Sequence, residues 1–331
     1  MFLHQSHRGR WALFVLSPMD ISGKIQLLIR VMRYYHILQY NTIRKGCTPM
    51  FTGIVAGRLQ LLQVLDEFAW RALASHQSLS EATVPQPDPE WVAWLKGGGA
   101  LLTVSLPSEH RSGERPLHLG DSIALDGTCY TVVTITEHTF QVVASPETRA
   151  KTILNTYQEG ALVHYEYPLR LQDPLGGHWV SGHVDMPCPV LAVYPDGNAW
   201  RMVFGMPSLE ATQLIVPKGS VTLNGVSLTV NQVFLSSSVE SNPYQSVMNC
   251  LQVHQIPCHG WFDVCLIPHT WSVTNMAQYR PVADFLPEEA PMTLELLCQG
   301  AWVNLELDMM GKMIHQRLEA YLTQQGLNRS T

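Results

Sequence analysis

Two reactive side chains stand at matched places in this 331-residue chain, a thiol at Cys129 and a hydroxyl at Ser227, each followed two residues later by a threonine, Thr131 or Thr229. Thiols and hydroxyls serve as nucleophiles and proton carriers. Residues two apart in a strand share a face, so each pair projects to one side. A second constellation, Cys250, His254, Cys258 and His259, fits no standard zinc-ligand spacing and reads as a loop with incidental Cys and His. No metal is expected.

What must position these groups is a hairpin that occurs twice. Residues 120–132 read GDSIALDGTCYTV and residues 218–230 read KGSVTLNGVSLTV. Each is an alternating strand, an Asp-Gly or Asn-Gly turn, and a second alternating strand, the strongest short-range hairpin signal. The repeat extends outward: Ala69-Trp70-Arg71 matches Ala199-Trp200-Arg201 at an offset of 130, Gly127 matches Gly225 at 98, Pro146 matches Pro268 at 122, and Gly160-Ala161 matches Gly300-Ala301 at 140. These offsets require about 32 extra residues in the first unit, placed at about 76–107, and 24 and 18 in the second, at about 236–260 and 278–298. Each is polar or Pro-bearing, as surface insertions should be.

From Phe51 onward the text reads as short strands, first FTGIV and RLQLLQVL, with a last strand of the unit at 161–167. Six such strands per unit, without βαβ alternation, predict an all-β protein: two tandem six-stranded antiparallel Greek-key barrels, since closure removes exposed edges. The barrels are assigned to residues 50–172 and 173–308. Met310, Ile314, Leu318 and Tyr321 then repeat at helical spacing, between a start signal at Asp308 and a stop at Gly326. They predict a C-terminal amphipathic α-helix at 309–326 whose single apolar stripe needs a partner, as in an oligomer.

With 46% hydrophobic side chains the chain can bury two ordinary cores. Residues 1–49 hold seven Lys/Arg and one acid, so the remainder carries 14 basic and 26 acidic residues, a net of −12. An acidic body argues against a nucleic-acid partner, and no apolar run is long enough to span a membrane. Seven cysteines without a Cys-x-x-Cys pair fit reduced thiols in a cytoplasmic protein. Residues 1–49 read either as an organellar transit segment or as an extension outside the fold.

Six stretches in order resemble the riboflavin synthase family of tandem lumazine-binding barrels: MFTGIV at 50–55, LDGTCYTV at 125–132, GGHWVSGHVD at 176–185, VPKGSVTLNGVSLTVN at 216–231, LIPHT at 266–270 and VNLELD at 303–308. The resemblance implies a homotrimer joined through the C-terminal helices, with one 6,7-dimethyl-8-ribityllumazine in each barrel. Catalysis is implied where the N-terminal barrel of one subunit meets the C-terminal barrel of the next. The implied reaction is a dismutation: one lumazine donates four carbons to another, giving riboflavin and 5-amino-6-(ribitylamino)uracil without cofactor or metal. Because the family begins with Met-Phe-Thr-Gly, Met50 is expected to be the working start.

That dismutation needs a base for the acidic 7-methyl group of one lumazine, a nucleophile at the ring of the other, and donors aimed at ring oxygens. Carried over position by position, the resemblance offers His183 for proton transfer, Ser227 and Thr229 as hydroxyls at the ring, and Cys129 at the equivalent place in the other barrel. Lys218 and Asp308 complete the catalytic set. Phe51, Ser122, Thr131, Thr148, Gly177 and Thr270 are expected to line the substrate. Of the two histidines flanking the Gly-rich bend, His178 and His183, one is expected to be structural. Pro168 stands where the second unit has Asp308, so the barrels are not equivalent. His269, Val143 and Asn224 replace residues that are Glu, Asp and Asp in family members. The rival reading is an antenna-type protein that holds a lumazine or flavin and does no chemistry; the retained polar set favours catalysis.

Overall fold

The computed structural model describes residues 3–5, 11–13, 49–69, 94–235, 249, 251–252, 256–281 and 301–325. It divides into two compact units, Met1–Cys47 and Thr48–Thr331. In the first, β1 (Leu3–Gln5) pairs antiparallel with β2 (Trp11–Leu13).

In the second unit, β3 (Gly57–Leu65), β4 (Ala100–Ser105), β5 (Ser122–Leu125), β6 (Thr128–Ile135), β7 (Thr139–Ala144) and β8 (Leu162–Glu166) close into a barrel in the order β3-β4-β7-β6-β5-β8. Six later strands close into another in the order β10-β13-β12-β11-β14-β9: β9 (Met186–Asp196), β10 (Ala199–Gly205), β11 (Ser220–Leu223), β12 (Val226–Leu235), β13 (Gly260–Leu266) and β14 (Trp302–Leu307). The two orders are the same path when strands are counted within each unit, as a duplication requires. Helices are short: α1 (Ser108–Ser112), α2 (Pro146–Lys151), α3 (Leu209–Leu214) and α4 (Pro268–Val273), then the longer α5 (Met309–Gln324).

Period-2 alternation decides what faces where. In β12, Val226, Leu228 and Val230 enter the core, leaving Ser227 and Thr229 on the outer face. Likewise β6 buries Tyr130 and Val132 and turns Cys129 and Thr131 outward. The Asp126-Gly127 and Asn224-Gly225 turns have positive φ at both residues, 42° and 77° in one and 45° and 80° in the other. Such primed turns match the strand twist, and they set the register Ala124 to Cys129 and Thr222 to Ser227.

The turns also lock the barrels together. A Cβ on Gly127 would lie 2.6 Å from the Gly225 amide nitrogen, and one on Gly225 2.8 Å from that of Gly127, so only glycine fits at either place. Around this contact a fully buried polar network is built twice over. His164 Nδ1 donates to Asn224 O at 2.8 Å, and reciprocally Asn304 Nδ2 donates to Asp126 O at 2.8 Å. The Asn275 amide donates to His164 Nε2, and the Ile153 amide to Asn304 Oδ1, both at 2.8 Å. Unpaired polar groups cost about 1–3 kcal/mol each when buried, so this network fixes one relative placement of the barrels.

Three sequence expectations are amended. The counterpart of Trp200 is not Trp70 but Ala100: β10 places Trp200 opposite Leu266, and β4 places Ala100 opposite Ala144. A two-residue turn joins β9 to β10, whereas 34 residues separate β3 from β4, so the first insertion occupies 66–99 rather than 76–107. FTGIV is not a strand, because Phe51 makes one bridge to Val180 and the chain then turns at Gly53 with φ 72°. The predicted C-terminal helix is present, capped by Asp308, but it ends at Gln324; Gly326 lies outside the described residues. So do most of residues 1–49, 236–260 and 278–298, and with them Cys250 and His254.

Candidate functional site

Each barrel's reacting strand is held by a peptide from the other half. The Ser227 amide donates to Gly53 O at 2.8 Å, and the Cys129 amide donates to Gly182 O at 2.8 Å. Phe51 and Val180 bridge at the centre, exchanging backbone hydrogen bonds of 2.8 and 3.1 Å. Gly177 must be glycine, since a Cβ there would overlap Thr52 O and lie 2.8 Å from Ser227 Cβ.

Around Ser227 the C-terminal barrel assembles a polar set. Ser227 Oγ lies 2.7 Å from His178 Nδ1, and Thr222 Oγ1 lies 3.1 Å from His178 Nε2. When Nε2–H donates to Thr222, the Nδ1 lone pair is left to accept the Ser227 proton. Burial holds the His178 pKa below its usual value, with the Asp308 charge opposing, so the ring is neutral near pH 7. A neutral imidazole on a serine hydroxyl can take its proton. Asp308 itself accepts the Met310 amide at 2.9 Å, so one carboxylate both caps α5 and biases His178. Thr229 is exposed beside Ser227, and Thr270 is half-buried on α4.

Lys218 enters β11 with φ 67°, a conformation rare for any residue but glycine. Its equivalent in the first barrel is Gly120, φ 85°, and both amides make the same bond, to Val230 O at 2.7 Å and to Val132 O at 2.8 Å. The Lys218 side chain is exposed.

The N-terminal barrel builds something different from the same backbone. Cys129 faces Ala124 where Ser227 faces Thr222. Phe51, fully buried, packs with Ala124, Val180 and Cys129. Burial pushes the thiol up to about 11, so it is protonated and acts as a weak donor rather than as a thiolate. Ser122 is half-buried opposite the exposed Thr131. Thr148 lies in the first turn of α2, its hydroxyl 2.9 Å from Ser145 Oγ. His183 is exposed and lines a cleft of about 680 Å³ with Met50, Glu147, Trp179 and Lys312, where Lys312 Nζ pairs with Asp185 at 2.9 Å.

The structure therefore places Ser227 and Thr222 on either side of one histidine, with the Asp308 charge acting on that ring, and packs Phe51 against the Cys129 thiol. The histidine on Ser227 is His178, while His183 stands in the cleft. Thr222 was legible in principle, because a two-residue turn after Leu223 puts it opposite Ser227. Two further residues escaped the sequence reading, Glu166 and Glu306. Glu166 accepts the Thr52 amide at 2.6 Å, the Thr52 hydroxyl at 2.8 Å and the Gly53 amide at 3.1 Å. Glu306 accepts the Ser181 amide and hydroxyl, both at 2.7 Å, and the Gly182 amide at 3.0 Å. Their signal was a lone acid at matched places in the last strand of each unit, VHYE and VNLE.

The family model described as Lumazine binding domain matches residues 52–167 and 181–285, one barrel after the other. A riboflavin synthase of Brucella abortus (strain 2308) is 39% identical over 201 residues, 59% of this chain and 78% of that protein. The riboflavin synthase of Bacillus subtilis (strain 168) is 32% identical over 203 residues, 61% of this chain and 74% of its own. That of Saccharomyces cerevisiae is 28% identical over 201 residues, 61% and 68%. Among solved structures, LumP complexed with 6,7-dimethyl-8-(1'-D-ribityl) lumazine aligns with 77% of this chain and 98% of that one, at 13% identity and a TM-score of 0.48.

Proposed function

The chain belongs to the lumazine-binding domain family, and from that premise we propose that it catalyses the riboflavin synthase reaction. Two molecules of 6,7-dimethyl-8-ribityllumazine become riboflavin and 5-amino-6-(ribitylamino)uracil by transfer of a four-carbon unit. The observation that carries this reading is the pair of non-equivalent polar sites on a duplicated scaffold, one built on Ser227 and His178, the other on Cys129. A dismutation asks two copies of one substrate to play different parts, so it calls for two similar pockets with different polar groups.

In the C-terminal barrel, neutral His178 draws the proton of Ser227, making its oxygen the better nucleophile toward the electron-poor lumazine ring. Thr222 fixes the imidazole orientation from the far side. Thr229, Thr270 and the Lys218 ammonium supply donors to the ring oxygens where negative charge develops. In the N-terminal barrel, Cys129 keeps its proton and offers a weak hydrogen bond, with Ser122, Thr131 and Thr148 beside it. His183, exposed in its cleft, is the proton-transfer group for a lumazine bound against that barrel, and Asp308 balances the charge on the other side.

Completion of the site calls for a second copy of the chain. Met310, Met313, Ile314, Leu318 and Tyr321 make one apolar face of α5 and are 52–64% exposed, which supports a homotrimer joined through this helix. The four free cysteines among the described residues support a reducing, cytoplasmic setting.

The test is direct: incubate the protein with 6,7-dimethyl-8-ribityllumazine and follow riboflavin by absorbance. Turnover without added cofactor is expected. Tight binding with no product would establish the antenna-type function instead, and neither binding nor turnover would overturn both.

A further inference from the structure

We propose that Glu166 and Glu306 are crossed positioning residues, each carboxylate belonging to one barrel and setting the reacting group of the other. From β8 of the N-terminal barrel, Glu166 clamps Thr52 and Gly53 with three hydrogen bonds. The peptide so held reaches across: Gly53 O accepts the Ser227 amide at 2.8 Å and Thr52 O accepts the His178 amide at 3.1 Å. From β14 of the C-terminal barrel, Glu306 clamps Ser181 and Gly182 in the same way. Gly182 O then accepts the Cys129 amide at 2.8 Å, and Ser181 Oγ accepts the His183 amide at 3.2 Å.

Both carboxylates are buried, at 7% and 2% exposure, each the one acid of its strand. Burial pushes Glu166 up to about 7 and raises Glu306, the clamp donors working against it, so each acid is kept at a desolvation cost. The held peptides lie flat on the reacting strands. A Cβ on Gly53 would be 2.6 Å from Ser227 Cβ, and one on Gly182 2.7 Å from Cys129 Cβ. With no slack between clamp and reacting residue, loosening the clamp moves that residue, and displacements of about 1 Å can cost on the order of 100-fold in rate. The catalytic readout rests on the lumazine reading; the geometric one does not.

The experiment is crossed chemical labelling. The 331-residue chain and four variants, Glu306→Gln, Ser181→Ala, Glu166→Gln and Thr52→Val, are treated with a thiol reagent, and modification of Cys129 is timed by peptide mass mapping. A glutamine turns an N–H toward donors that need an acceptor, whereas the two milder variants leave the carboxylate in place and remove one of its three bonds, together with the bond that the lost hydroxyl accepts from the His183 or Ile54 amide. Cys129 labelling should rise about tenfold in Glu306→Gln and about threefold in Ser181→Ala, and stay within about twofold of the parent in the Glu166 and Thr52 variants, as expected for a displacement confined to one strand. Riboflavin formation should fall in all four. Labelling that is unchanged in both Glu306→Gln and Ser181→Ala, or that rises equally in the Thr52 and Ser181 variants, would overturn the crossed arrangement. An unmodified protein with no turnover would reject the lumazine reading while leaving the labelling to decide this one.

Discussion

The two barrels share a strand path, a turn type, a backbone clamp and an outward Ser–Thr pair, Ser122 with Thr131 and Ser220 with Thr229, and they differ at the next pair, Ala124 with Cys129 against Thr222 with Ser227. Around Ser227 stand His178 and Thr222; around Cys129 stand Ala124, Phe51 and Val180. The same contrast recurs at the buried contact, where Asp126 and His164 in one copy correspond to Asn224 and Asn304 in the other. Duplicated scaffolds keep the bonds that define the fold, because each unmade buried bond is costly, and are free to diverge where a side chain is not constrained by them.

The largest expected effect comes from treating the two reacting groups alike. Ser227→Ala should lower the rate of riboflavin formation by about 100- to 1000-fold, whereas Cys129→Ser should lower it less than about tenfold, since a hydroxyl replaces the weak donor that the neutral thiol provides. Steady-state assays of both variants check this, and equal losses would remove the asymmetry. Next is the turn contact. Gly225→Ala forces a side chain into positive φ against the Gly127 backbone and should destabilise by about 3 kcal/mol in urea titration. The same change at Gly197, where a Cβ meets open space, carries only the φ strain, about 1 kcal/mol.

Asp126 allows a pH test. Burial pushes its folded pKa up to about 7, above the unfolded value, so its stabilising contribution is complete below about pH 4 and lost as pH rises through 7. His164 runs oppositely: burial lowers it to about 4, so stability is lost as pH falls from about 6.5 through 4. Asp126→Asn copies Asn224, whose amide already donates to a tyrosine hydroxyl, that of Tyr279, where Asp126 accepts from Tyr157. The variant should gain on the order of 2 kcal/mol at pH 8, and the gain should shrink toward zero at pH 5; a pH-independent difference would refute it. Smallest is Lys218→Gly, which gives the second barrel the residue of the first. Relief of the φ strain should stabilise by about 0.5–1 kcal/mol while turnover falls, a trade that thermal melts and assays measure together.

Much of this organisation could be read from the chain itself. Asp-Gly and Asn-Gly between alternating strands fix turn type, register and face, so the pairings of Cys129 with Ala124 and of Ser227 with Thr222 follow from spacing alone. The repeat offsets revealed the duplication because the hairpins and Pro-x-Thr turns are local. The match of Trp70 to Trp200 failed because three residues of similar text carry little information inside a variable insertion; pairing across β4 and β7 places Ala100 there instead.

Local patterning thus determined the strands, the turns, the outer faces bearing thiol and hydroxyl, and the final helix, because each depends on residues a few positions apart. The tertiary structure decided which histidine meets Ser227, since His178 is 49 residues away and His183 only five from its rival along the chain. It also decided that Glu166 and Glu306 act across the molecule, on residues 114 and 125 positions away. Period-2 alternation says which way a side chain points; only closure of both barrels says what it meets.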